Sequence, residues 1–217
     1  MKKISLYISA AIVALSMSSC DLDSLSMKEA DTTNFPKTTE QIKQTLAGVY
    51  QNLNEISKNP QESYLYWSLL ASDDMLGGGG LNDKLMQACD LLCNYGTNMT
   101  ENFWKARYQG INRANTLIEA LENVEMEATA KAQALGEAKF LRAFYYYELA
   151  SMYGRVPLNL TSTAPENTTP PSAAEIWGQI LQDLYEASTT MPAQRLTNGH
   201  VDKYAAEAML GRAWLFY

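Results

Sequence analysis

The sequence predicts an all-α helical-repeat scaffold on three observations, and Trp104-x3-Tyr108 with the small residues Gly110 and Ala114 makes its helix pairs resemble tetratricopeptide units, an α-α superhelix. Apolar residues recur at steps of three and four in one segment after another. Several of these segments open on a capping box or close on Gly or Pro. No stretch of convincing length alternates apolar and polar residues as a strand would.

Residues 1–19 read as a targeting leader rather than as part of the fold. Lys2 and Lys3 supply the charged start, residues 4–15 form an apolar run too short to cross a bilayer comfortably, and Met17-Ser18-Ser19-Cys20 resembles a lipobox. Cys20 would then be the first residue of the mature chain and its lipid attachment site, because two or more acyl chains hold a protein on a membrane where one scarcely does. Residues 20–37, with Asp21 and Asp23 near their start, form a polar tether, and residues 38–217 remain as one helical domain.

The first predicted helix follows Thr38-Thr39-Glu40-Gln41, a capping box, and carries Ile42, Leu46, Val49, Tyr50, Leu53 and Ile56 on one face until Asn59-Pro60 stops it. A short helix over 64–72, a loop over 73–83 and another short helix over 84–94 come next. A long one over 103–123 aligns Trp104, Tyr108, Ile111, Ala114, Ile118 and Leu121. The central element spans 136–158, where Leu141, Phe144, Tyr145, Leu149 and Met152 share a stripe and Glu137, Lys139 and Glu148 fall largely elsewhere. Gly154 offers a left-handed cap and Pro157 forbids resumption. Residues 159–171 are a connector rich in Pro, Ser and Thr. Ser172-Ala173-Ala174-Glu175 opens a helix with Ile176, Ile180, Leu184 and Ala187 aligned. After a turn at Asn198-Gly199, a last helix over 202–217 carries Ala205, Ala208, Met209 and Trp214.

The central element and its neighbours resemble the SusD/RagB-like family, nutrient-binding lipoproteins of the Gram-negative outer membrane. The resemblance rests on Glu137-Ala138, Phe140–Ala143, Tyr145–Tyr147, Leu149 and Tyr153–Leu158, on Phe103-Trp104 with Tyr108, Gly110-Ile111 and Ala114-Asn115, and on Ala205-Ala206 with Ala208–Ala213. It implies the N-terminal, helical half of a SusD-like fold. Family members are longer, so the expectation is a chain truncated at its C-terminus, inside a helix that has not finished.

Charge and cysteine usage exclude several functions. The chain has 17 Lys and Arg against 24 Asp and Glu, net −7, and loss of Lys2 and Lys3 with the leader takes this to −9. No basic stripe is present for nucleic acid and no polybasic patch for an anionic lipid surface, which leaves the lipid anchor as the only membrane contact. Cys89 and Cys93 at i, i+4 suit two small buried thiols better than a disulfide, and they lack the company a metal site needs, with the single histidine, His200, more than a hundred residues away. Nothing calls for a cofactor.

The candidate ligand-binding residues cluster around Gly77-Gly78-Gly79-Gly80. Asp73, Asp74, Asn82 and Asp83 flank these glycines and could converge on sugar hydroxyls through hydrogen bonds, with Trp67 and Tyr95, among nearby aromatics, as ring platforms. Calcium is the other chemistry that carboxylates and an amide permit, and a surface loop after a capped helix is the simplest alternative. A phosphate loop is excluded, because the Gly-Lys-Ser/Thr signature is absent and two aspartates repel phosphate. Catalysis has little support: there is no serine–histidine–acid arrangement, and pairs such as Asp73 with Glu101 or Asp83 arise trivially in an acidic chain.

The expected function is that of the family resembled: a non-enzymatic lipoprotein of the outer membrane, facing outward, that binds a glycan or other nutrient and delivers it to a TonB-dependent outer-membrane transporter. The alternative is a helical-repeat module that binds protein through its concave face, with no small ligand.

Overall fold

Helix α1, Thr39–Lys58, starts on the expected capping box: Gln41 N donates to Thr38 Oγ1 at 3.3 Å, and Thr38 N donates to Gln41 Oε1 at 3.2 Å. The structure, a computed structural model, describes residues 36–58, 68–69, 72, 101–163, 169–194 and 197–217. Among them α1 is followed by α2 (Glu101–Asn123), α3 (Ala128–Tyr153), α4 (Ala173–Thr190) and α5 (Lys203–Trp214), with no strand, and each helix packs on the next. The short helices expected over 64–72 and 84–94, the loop over 73–83, and Cys89 and Cys93 lie wholly or mostly outside the described residues.

Consecutive helices run antiparallel. Arg113 on α2 meets Gly48 on α1 while Ala106 meets Asn52. In the same sense, Arg142 on α3 meets Asp183 on α4 while Gln133 meets Met191. Helix α3 is in the middle, packed on α1, α2 and α4. Its Tyr145, Tyr146 and Tyr147, with Leu141 and Leu149, are among the most enclosed side chains of the core, each contributing about 1.5–3 kcal/mol through removal of apolar surface from water. Two close approaches let this packing happen. A Cβ on Gly110 of α2 would sit 2.5 Å from the Tyr145 ring, and one on Gly136 would sit 2.2 Å from Met191 Cγ.

The structure adds to the helix readings in three places. Helix α3 begins about two turns before Gly136, capped by Glu127, whose carboxylate accepts from Thr129 N and Ala130 N at 2.8 and 2.7 Å. Glutamate is an uncommon capping residue, so this start carried no familiar signature. The end is as expected, with Gly154 at φ 72° donating to Ala150 O. Second, Glu137 and Glu148, which fall off the apolar stripe, are nonetheless buried, at 1% and 6% exposed. A helix with neighbours on several sides has no wide polar face to offer them. Third, α5 turns inward Ala206, Met209 and Ala213, leaving Ala208 and Trp214 exposed. It closes at Trp214, with Leu215 N and Phe216 N bonded to Arg212 O and Ala213 O, rather than running on.

Helix α4 matches its reading in full, from the Ser172–Glu175 capping box to buried Ile176, Ile180, Leu184 and Ala187. The turn before α5 likewise places Gly199 at φ 83°.

Glycine substitutions separate the tight from the open positions. Gly110→Ala should destabilise the protein by about 1–3 kcal/mol in chemical denaturation, because the Tyr145 ring it strikes is held by a hydrogen bond from its hydroxyl to Val49 O at 2.6 Å. Gly178→Ala, on the exposed face of α4 with nothing within 4 Å, should stabilise it by roughly 0.5–1 kcal/mol.

Candidate functional site

Asp73, Asp74, Asn82, Asp83, Trp67 and Tyr95, like Cys20, lie outside the described residues. What the structure fixes is the frame on either side of them. Ser72, immediately before Asp73, closes a turn by donating from Oγ to Leu69 O at 2.6 Å. Residues 59–100 join α1 to α2, and these helices are antiparallel neighbours, so the segment leaves and returns at one end of the pair. Asn52, one to two turns before the end of α1, donates to Ala106 O in the second turn of α2.

That end is rich in aromatic rings. Trp104 in the first turn of α2 lies 4.9 Å from Tyr108 and 5.0 Å, edge-on, from Tyr153 at the end of α3, and Phe103 approaches the same Tyr153. On the next pair, Trp177 near the start of α4 stacks on Phe216 at 5.5 Å, with Tyr147 edge-on to both. Trp104, Tyr108 and Tyr153 are half-buried against the core, so their primary role is packing.

The chain after α3 is pinned flat along α2 and α3. Tyr108 donates to Pro157 O at 2.6 Å, Asn115 Nδ2 to Asn159 O and Thr161 O at 3.0 and 2.9 Å, and Tyr146 Oη both donates to Asn159 O and accepts from Asn159 N. Farther on, Glu119 accepts from Ser162 N and Oγ. Beneath this strap lies Arg142, bidentate to Asp183 of α4 at 2.8 Å through both Nε and Nη2, with Nη1 donating to Asn115 Oδ1 and to Leu160 O. The planar fork of arginine suits this geometry, and every charge in it is paired. Nothing in the sequence singled out Asp183 as this partner.

Two further buried carboxylates tie helices together. Glu137 accepts from Tyr50 Oη at 2.7 Å and Gln133 Nε2 at 2.6 Å, and His200 Nδ1 lies 2.7 Å from it. Val201 N in turn donates to Tyr50 Oη, so the turn before α5 is held to α1 and α3. Glu148 faces Arg107 of α2 at 2.5 Å as an ion pair whose Nε and Oε2 lack hydrogen-bond alignment. Arg107 also donates to Asn52 O and lies over the Phe103 and Tyr145 rings. Burial outweighs the attraction here: it pushes the Glu148 carboxyl up to about 7 against the pull of Arg107, and it lowers the Arg107 guanidinium.

Chemically, these groups hold helices in place. Among the described residues, no three His, Cys, Asp or Glu side chains are grouped to hold a metal ion. Glu101, the carboxylate that the weak catalytic reading invoked, is partly exposed and paired with Lys105. No helix among the described residues is long and apolar enough to cross a membrane.

Comparison with known proteins places this framework. Residues 21–215 match the SusD-like family described as "Starch-binding associating with outer membrane". The chain is 24% identical over 195 residues to SusD-like protein P2 of Formosa agariphila, covering 84% of this chain and 37% of that protein. It is 30% identical over 164 residues to SusD-like protein P38 of the same organism, covering 72% and 31%. Among solved structures, a laminarin binding SusD-like protein superposes with a TM-score of 0.71 at 28% identity, over 83% of this chain and 41% of that one. The surface glycan-binding protein A of Bacteroides thetaiotaomicron, in complex with laminarihexaose, shares the fold with a TM-score of 0.69 at 21% identity, over 83% and 39%. The chain thus spans about a third of the length of the two Formosa relatives.

Two measurements test the buried pairs. Glu148 has a folded-state pKa raised from the usual 4.5 to about 7, so its contribution to stability is fully present below pH 4.5 and is lost as pH rises through 7. The unfolding free energy should therefore fall between pH 5 and pH 8 by an amount on the order of 2–3 kcal/mol from this group, and Glu148→Gln should flatten that slope. Asp183→Ala leaves Arg142 buried without its carboxylate, with an expected loss of about 3–5 kcal/mol in denaturant melts.

Proposed function

The chain belongs to the SusD-like family of starch-binding proteins that associate with the outer membrane, and from that membership we propose that it captures a glycan at the cell surface and delivers it to a TonB-dependent outer-membrane transporter. The observation that carries the reading is the likeness to the laminarin binding SusD-like protein, at 28% identity over 83% of this chain. A β-glucan of that kind is accordingly the first ligand to try, and starch, from the family's description, the second.

In this reading residues 1–19 are removed, Cys20 carries the lipid, residues 20–37 are the tether, and residues 38–217 supply the N-terminal helical domain. The protein faces outward from the outer membrane. Asp73, Asp74, Asn82 and Asp83 accept from and donate to sugar hydroxyls, while Trp67 and Tyr95 lie against the apolar faces of the rings. Capture then depends on many weak contacts and breaks no bond, so no catalytic residue is assigned. The rings at the end of the bundle where residues 59–100 emerge support this placement, since a ligand held there meets a frame already stiffened by aromatic packing.

The test uses the lipoprotein purified from membranes of its native host. Titration calorimetry with laminarin and with starch oligosaccharides should show binding to one class, and the Asp73→Ala/Asp74→Ala protein should bind it at least about tenfold more weakly, the loss expected for two charged hydrogen-bond acceptors. Unchanged affinity in that variant would remove the site assignment, and no binding of either glycan by the unaltered protein would favour the protein-binding module. Cys20→Ala should move the protein out of the membrane fraction, read by fractionation and by loss of the lipid mass.

A further inference from the structure

We draw no further inference here: the strongest candidate, the exposed apolar side chains of Tyr204, Trp214, Leu215 and Tyr217 on and just beyond the last helix, is an unpartnered surface, and nothing in the structure shows what covers it.

Discussion

A helix enclosed by other helices cannot leave a polar side chain to water, and this constraint governs the whole of α3. Gln133, Glu137, Arg142 and Glu148 are all buried on it, and desolvation of a carboxylate or guanidinium costs several kcal/mol unless a partner is supplied. Each charged member therefore recruits a different neighbour. Glu137 takes Tyr50 from α1 and His200 from the turn before α5, Arg142 takes Asp183 from α4, and Glu148 takes Arg107 from α2. Non-directional packing of Tyr145, Tyr146 and Tyr147 would permit helices to slide or rotate; these polar pairs fix register, because each brings its partners within reach in only one arrangement.

Much of this scaffold was legible in the residues. The Thr38–Gln41 and Ser172–Glu175 boxes, Gly154, and the α4 stripe of Ile176, Ile180, Leu184 and Ala187 act through local geometry that a sequence states directly. What was not legible depends on long-range environment. The burial of Glu137 and Glu148 could not be read from their place off the apolar stripe, because nothing local says that α3 has neighbours on more than one side. On α5, Ala205, Ala206 and Ala208 are chemically alike, so sequence pattern alone cannot say which of them turns toward α4. For the stretch around the four glycines, composition suggested hydrogen-bonding groups, and four consecutive glycines carry no periodicity from which a shape could be read.

Residues 59–100 begin and end on adjacent antiparallel helices whose relative position is set by Asn52, Arg107 and Arg113, all polar groups bonded within the helix pair. A segment anchored at both ends on a helix pair that is held by its own bonds can change its composition without disturbing α1 or α2.

The strap after α3 distributes mutational freedom unevenly. Tyr108, Asn115, Arg142 and Tyr146 reach its main-chain atoms, the oxygens of Pro157, Asn159, Leu160 and Thr161 and the amide of Asn159. Every residue has a carbonyl, so most side chains along the strap can drift without loss of a bond, whereas replacing Tyr108 or Asn115 on α2 strands the Pro157 or Thr161 carbonyl. Information that specifies the path of this segment is thus stored some 13 to 49 positions away from it in the chain, and variation observed within the strap itself would say little about how firmly it is held.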